Sequence, residues 1–488
     1  MTRPKKREVR CRRLVARQSE PRTRVLIYGS GAVASTLLRE IRSHSGMDGQ
    51  VVGSVDDLPE LIRTQRVDEI LIAQPTVTGA QMTALLHISR ELGLRCRTLP
   101  PPDDLVPGSQ LLAQIRDIAV EDLLGRSPVR LEEDGIRQKL SGQVVMVTGA
   151  AGSIGSELCR QIARFAPKTI VALDVAETAL FHLAREMKAA SPNVDFAEVI
   201  GSVQSRDRLR EVFLAQAPSI VYHAAAYKHV PMMEAHVVEA VENNVFGTWQ
   251  IALAAAEHGV ADVVMISSDK AVRPTSVMGA TKRVAEMLMG AMQGGSTNFV
   301  SVRFGNVLGS SGSVVPLFQE QIAAGGPVTL TDPSMERYFM TVEEASQLVL
   351  QASTMGHGGE IFVLDMGDPI RIADLARNLI LLAGRQPDRD VQIEISGIRP
   401  GEKLREELSA PEENMLPTRH PKIRIFRSPR AQEEMVPHLD ALQHLCATRD
   451  VAGIVERLKQ IVPEYEPSRF VRPDARSPLD IIEGKVCH

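Results

Sequence analysis

The sequence predicts an α/β protein with two Rossmann-like domains, the second a doubly wound parallel sheet carrying a smaller C-terminal substrate-binding lobe. Three observations lead there. The stretches "RVLIYGSGAVAS" (24–35) and "QVVMVTGAAGSIGSEL" (143–158) each run from an apolar, β-rich strand through glycines into a helix. That is the opening of a nucleotide-binding βαβ unit. The two openings lie about 120 residues apart, which makes two domains rather than one long sheet. From residue 141 strands and helices alternate at parallel-sheet spacing, and beyond Gly305 the pattern loosens into the lobe.

In order along the chain, the first domain reads as strands at 24–28, 50–55 and 68–73 with helices at 32–44, 57–66 and 79–92. The Pro- and Gly-rich "TLPPPDDLVPG" (98–108) closes it. Residues 1–22 are expected to be a basic flexible tail, 23–103 a shortened Rossmann-like domain and 104–140 a linker with short helices. The second domain, 141–430, has strand candidates at 144–148, 169–173, 219–223, 262–267 and 298–302. Helices fill the gaps at 154–165, 205–216 and 236–258, and a helical segment, 431–488, ends the chain.

Composition narrows the function. A net charge of −4 over 488 residues gives no support for a nucleic-acid partner. The one strongly basic segment, residues 3–24, has ten Lys/Arg against two Glu. It reads as a solvated tail, with contact to anionic lipid as the sharper alternative. The cysteines at 11, 96, 159, 446 and 487 have neither metal nor disulfide spacing, so a reducing cytoplasm is expected and no metal site. The most apolar stretch, Trp249 to Ile266, is interrupted by Glu257, His258 and Asp262, so a soluble chain is expected.

"TGAAGSIG" (148–155) is the strongest motif. Gly149 permits the tight turn, Gly152 lets backbone approach a pyrophosphate, and Gly155 allows close helix–strand packing, with Ser153 and Ile154 opening the helix. Asp174, nineteen residues after Gly155, ends the next strand. A carboxylate there bonds ribose hydroxyls and repels a 2′-phosphate, which favours NAD over NADP. In "HAAAYKHVP" the small Ala224, Ala225 and Ala226 let a cofactor lie against backbone, and Lys228 is a candidate diphosphate contact.

"SSDKAVRPTSVMGATK" (267–282) brings Ser268, Asp269 and Lys270 out at the C-terminal end of a strand, where ligands sit in an open α/β sheet. On the next helix Met278 stands four residues before Lys282. An oxidising enzyme of the short-chain type needs a tyrosine there, because one helical turn stacks phenol and ammonium and lowers the phenol pKa. Methionine has no proton to exchange. Further on, Arg303, Arg337 and Arg399 are candidates to pair with phosphate oxygens, and Asn306 offers amide donors.

Together, "TGAAGSIGSEL", "HAAAYKHVP", "NNVFGT", "SSDKAVRPTSVMGATK", "RFGNVLGSSGSV", "ERYFMT" and "RPGEKLREEL" resemble the polysaccharide-biosynthesis branch of the extended short-chain dehydrogenase/reductases. The likeness is to the large UDP-N-acetylglucosamine 4,6-dehydratases and runs from about Arg24 to about Ser409. Large members of that family carry Met where other branches carry Tyr, so Met278 agrees with it. The resemblance implies NAD borrowed and returned: oxidation at C4 of a UDP-sugar, loss of water across C5 and C6, then reduction at C6. It implies Asp269 and Lys270 as the groups exchanging protons, with Ser268, Met278 and Lys282 beside them. Lys282 would hold the nicotinamide ribose and depress the pKa of Lys270. Asn244 would join the cofactor contacts, and Glu402 the substrate contacts with Lys228, Arg303, Asn306, Arg337 and Arg399. A homo-oligomer is expected, in the cytoplasm or at the inner face of its membrane.

Departures accompany the likeness. The family's membrane helices would precede residue 23, where this sequence has its basic segment. Ser202 replaces an acid of the usual "GDV". Two rival readings stand beside the dehydratase: a nucleotide-sugar epimerase or C5-inverting dehydratase, and a non-catalytic NAD-binding scaffold.

Overall fold

A computed structural model describes residues 23–468 apart from 44–45, 75–76, 102–103, 107, 127–128 and 428–431. The basic tail expected at 1–22, with its lipid contact, lies outside the described residues, as do Cys11 and Cys487. The chain divides into two compact units, one ending at Gly125 and the other starting at Arg126.

The first unit has a five-stranded sheet. Met47–Val52, Thr23–Tyr28, Glu69–Ile72 and Arg95–Thr98 lie side by side and parallel, and Arg116–Asp117 adds an antiparallel edge. Val25, Ile27 and Leu71 pack against Leu37 and Ile41 of the helix Gly31–Ser43. Two of these strands depart from the sequence expectation. In Arg95–Thr98 the charged residues hide the strand, because Arg97 is satisfied across the sheet by the buried Glu69, with Nη2 at 2.9 Å from Oε2. The 104–140 stretch is not one linker: Arg116 pairs with Thr98 in the first sheet, while Ile136 and Leu140 of the helix Glu133–Leu140 enter the core of the second unit.

The second unit is built on a nine-stranded sheet. Seven strands are parallel, in the spatial order Asp195–Ile200, Thr169–Asp174, Val144–Thr148, Ile220–His223, Asp262–Ile266, Asn298–Arg303, Glu360–Leu364. Ile423–Arg427 and Leu416–Pro417 extend it antiparallel. The central strands are buried on both faces, hence their unbroken apolar runs such as "VVMVT". The strand order switches sides between Val144–Thr148 and Ile220–His223, which is where a crevice forms in such sheets. The helix expected over 236–258 is interrupted: Val237–Val241 passes through a wide π turn, Glu242–Phe246, into Gly247–Glu257. Short strand pairs between 306 and 395 form the lobe. The C-terminal helices Gln432–Ala447 and Val451–Ile461 lay Leu442, Ile454 and Leu458 over Val284, Met287 and Leu288 of the helix Val277–Ala291. Among the described residues no helix is long and apolar enough to cross a membrane.

Candidate active site

A cavity of about 650 Å³ opens in the second unit at the C-terminal ends of the parallel strands, under the lobe. Its floor is the glycine loop. Gly149 has φ +66°, and a Cβ there would stand 2.6 Å from the Ala225 nitrogen, so only glycine lets the two loops close on each other. A Cβ on Gly155 would collide with the Gly149 carbonyl. The helix Ser153–Ala163 starts from Gly152, which has no side chain to cap it, and Gly152, Ser153, Ile154 and Gly155 all line the cavity. An uncapped helix start facing a cavity suits an anionic group. Asp174 lies off the cavity wall and braces this loop: its carboxylate accepts from the Ala151 and Ala176 amides, both at 2.9 Å. Lone pairs remain on it for further donors.

The reactive side chains emerge where the strand Asp262–Ile266 ends. Ser268 Oγ accepts from the Lys270 amide at 3.3 Å and donates to Asp269 Oδ1 at 3.0 Å, winding residues 269–271 into a single tight turn. Lys270 Nζ then donates to Asp269 Oδ1 (3.0 Å) and Asn306 Oδ1 (3.1 Å), and pairs with Glu406 Oε1 at 2.8 Å. Arg337 Nε reaches the same Glu406 oxygen at 3.1 Å, and Asn306 Nδ2 donates to Glu406 Oε2 at 3.0 Å. Asp269 Oδ2 is buried with no hydrogen-bond partner.

Charge and burial set the protonation of this cluster. Burial, and after it the Glu406 charge, push the Asp269 carboxyl up to about 7. Glu406 is itself buried, yet Lys270 and Arg337 hold it well below the ordinary carboxylate range. Near neutral pH Asp269 is therefore divided between its protonated and ionised forms while Glu406 stays ionised. Burial works against the Lys270 ammonium, but the charges of Asp269 and Glu406 outweigh it and raise its pKa. The expected depression of Lys270 by Lys282 is thus corrected: two carboxylates at contact distance dominate. It is Lys282 whose pKa is lowered, to about 8 by burial, with its Nζ donating to the Ile266 carbonyl at 2.6 Å.

Met278 is 2% exposed and sits between the cavity and the apolar core. Its helix is capped by Ser276 Oγ, which accepts from the Gly279 amide at 3.1 Å, and a Cβ on Gly279 would strike the Lys270 carbonyl. The helix start is therefore pressed against the Asp269–Lys270 turn. Met278, not a phenol, therefore stands one helical turn before Lys282. Lys228 lines the cavity with its ammonium lowered by its desolvating surroundings and then by Lys270.

Of the remaining expected residues, Ala224, Ala226, Asn306, Arg337, Arg399 and Glu402 also lie on the cavity wall. Arg337 is partly committed to its own loop, donating to the Lys403 carbonyl at 2.7 Å, and Arg399 Nε donates to Glu402 at 3.0 Å. Three expectations are corrected. Arg303 is fully buried, with its guanidinium 2.7 Å from Glu286 and 2.8 Å from Glu413, so it meets no ligand phosphate. Asn244 is buried and holds the Tyr227 backbone through both its amide atoms, at 2.8 and 3.0 Å, so it positions the loop rather than touching a cofactor. Asp269 lies off the wall, behind Lys270. Glu406 is the residue that sequence reasoning missed, although it belongs to the quoted "RPGEKLREEL". Among the described residues no group of His, Cys, Asp and Glu could hold a metal ion.

The family profile described as polysaccharide biosynthesis protein matches residues 145–428, the span that contains the whole cavity. The chain belongs to that family. It is similar to the capsular polysaccharide biosynthesis protein CapD of Staphylococcus aureus, with 45% identity over 407 residues, 78% of this chain and 68% of that protein. It is also similar to the probable polysaccharide biosynthesis protein EpsC of Bacillus subtilis, with 43% identity over 428 residues, 83% of this chain and 71% of that one. UDP-glucose 4-epimerase of Rickettsia canadensis is 36% identical over 281 residues, 56% of this chain and 79% of that protein. Among solved structures, the X-ray structure of Pen from Bacillus thuringiensis shares 35% identity with a TM-score of 0.55, covering 59% of this chain and 88% of that one. For a polysaccharide biosynthesis family member, the conjunction of glycine loop and charged cluster in one cavity defines where chemistry can occur.

Proposed function

We propose that the protein is an NAD-dependent 4,6-dehydratase of a UDP-N-acetylhexosamine, foremost UDP-N-acetylglucosamine, making a 4-keto-6-deoxy sugar nucleotide for surface polysaccharide. The observation that carries this reading is the Asp269–Lys270–Glu406 cluster opening into the same cavity as the glycine loop, with Met278 where a phenol would otherwise stand. With no phenol at that position, the proton lost from the C4 hydroxyl on oxidation is assigned to this cluster, with Asp269 as its acceptor. Elimination of water needs a base near C5 and an acid near C6, and the cluster holds an amine and two carboxyls.

The residues present fit NAD. The uncapped helix start at Ser153 favours its diphosphate, and Asp174 disfavours a 2′-phosphate by like charge. When bound, the cofactor supplies the reversible oxidation that makes C4 a ketone and so acidifies C5. Lys270 is assigned as the base at C5, Asp269 as the neighbouring proton store, and Lys282 as a ribose contact beside Ile266. Lys228 and Arg399 supply positive charge for the substrate diphosphate.

The experiment is to incubate the purified protein with UDP-N-acetylglucosamine and NAD and to identify the product. Loss of the 6-hydroxyl with a 4-keto group supports the reading. The likeness to UDP-glucose 4-epimerase favours one second reading, in which the 6-hydroxyl survives and only C4 configuration changes. Absence of any product would favour a scaffold.

A further inference from the structure

The loop from Arg399 to Leu408 brings to the cavity one acidic side chain with no role so far. Glu406 is 8% exposed, lines the cavity, and its carboxylate meets Lys270, Arg337 and Asn306 at 2.8, 3.1 and 3.0 Å. Lys270 is as fully engaged: its ammonium faces Asp269 Oδ1, Asn306 Oδ1 and Glu406 Oε1 at 3.0, 3.1 and 2.8 Å. An ammonium with three acceptors around three protons has no lone pair, so it cannot take a proton from carbon until it gives one up. The Asn306 amide oxygen is no base. Asp269 lies off the wall, and burial and then Glu406 raise its carboxyl to about 7, so near neutral pH it is only partly ionised. Glu406 is the ionised acceptor that remains, and it borders the cavity.

We propose that Glu406 is a further catalytic residue, which takes a proton from Lys270 and passes it to the hydroxyl leaving C6. This rests on the dehydratase reading, in which C4 is a ketone at this stage. When the sugar fills the cavity, the Lys270 side chain, still 23% exposed, loses its water, which favours the neutral pair. A Lys270 N–H bond breaks and a Glu406 O–H bond forms. The freed amine then takes the C5 proton: C5–H breaks, N–H forms, and the electron pair moves into C4–C5, with charge on the C4 oxygen. That charge returns to restore the ketone as C5=C6 forms and C6–O breaks, and the departing oxygen takes the proton of Glu406 and leaves as water. Lys270 is again an ammonium and Glu406 again a carboxylate, so the proton removed at C5 and the proton delivered at C6 balance within the cluster. Arg337 and Asn306 hold the carboxylate at its place through both transfers.

Glu406→Gln tests this, since it keeps the shape and an acceptor for Lys270 but cannot hold the proton. The first readout needs no substrate: the pH dependence of Lys270 acylation in the folded protein, mapped by peptide mass spectrometry. Loss of an adjacent charge should move its half-point down by about one unit or more. The second is deuterium wash-in at C5 of UDP-N-acetylglucosamine with NAD in heavy water, expected to fall by roughly 10²–10⁴-fold, with Glu406→Asp recovering part of the rate. An unmoved acylation profile, or wash-in near the wild-type rate in Glu406→Gln, overturns the proposal. If Glu406→Gln does not fold, Glu406→Asp carries both readouts through a shifted acylation profile and a slowed wash-in. A wild-type protein with neither wash-in nor product overturns the dehydratase reading and this step with it, while the acylation profile still judges the Lys270–Glu406 pairing separately.

Discussion

Two buried charge clusters lie close in the sequence and differ in kind. In the first, Arg303 is enclosed by Glu286 and Glu413, Ser267 Oγ adds a bond to Glu286 at 2.6 Å, and both Arg303 and Glu286 are fully buried. In the second, Lys270 stands among Asp269, Glu406 and Asn306 with one carboxylate oxygen unpartnered and the cavity beside it. Both set one cation between two carboxylates. The sealed cluster has every charge matched, and Glu286 is driven to about 2 against its burial by Arg303. The open cluster keeps a carboxyl near 7, poised to exchange a proton. Burial of charge alone is therefore no mark of function; burial with an unmatched proton and access to a cavity is.

Breaking the sealed cluster should have the largest effect on stability. Arg303→Ala removes the fully buried partner of Glu286 and Glu413, leaving Glu286 only Arg283 at 3.0 Å, and should cost about 3–5 kcal/mol in urea denaturation at neutral pH. Lys270→Ala should cost less in the same titration, because Asp269 is already able to hold a proton. Equal costs would erase the distinction between the clusters.

The two clusters should also respond to pH with opposite signs. Asp269 binds its proton more tightly in the folded state, so its contribution is complete below the ordinary aspartate range and is lost as pH rises toward about 7. Glu286 is depressed, so its contribution is present above the ordinary glutamate range and lost as pH falls toward about 2. Thermal midpoints of wild type and Asp269→Asn should therefore diverge steadily between about pH 4 and 7, with wild type losing ground as pH rises. A constant difference across that window would contradict the protonation assigned to Asp269.

The smallest effect is expected at the methionine. Met278 fills space between the core and the cavity, so Met278→Leu should cost under about 1.5 kcal/mol and leave turnover largely intact. A large loss of turnover with stability retained would give Met278 a chemical role.

Much of this was legible in the chain itself, for identifiable reasons. The glycine loop is local: strand, turn and helix start are contiguous, so "QVVMVTGAAGSIGSEL" declares its own geometry. The same holds for Ser268 to Lys282, which share one strand end and the following helix. Strands with charged residues were not legible, as in Arg95–Thr98, whose Arg97 is neutralised by Glu69 from a neighbouring strand 28 residues away in sequence. Asp195–Ile200 is an edge strand with Asp195, Glu198 and Ile200 exposed, and it too lacks the apolar run of its neighbours. At the site, the fate of a charge depends on partners distant in sequence. Arg303 looked like a phosphate ligand because Glu413 is 110 residues away, and Glu406 drew no assignment because Lys270 is 136 residues away. Asn244 was expected among the cofactor contacts, but only the fold reveals that its amide is spent on Tyr227.

The central claim, that the open cluster performs proton transfer at C5, is tested most directly by one comparison. Wild type and Lys270→Ala are incubated with UDP-N-acetylglucosamine and NAD in heavy water, and deuterium at C5 is followed by mass spectrometry and NMR. Wild type should incorporate deuterium at C5 as the 6-hydroxyl is lost, and Lys270→Ala should be slower by roughly 10²–10⁴-fold while still binding NAD. Near-normal wash-in in Lys270→Ala would contradict the account.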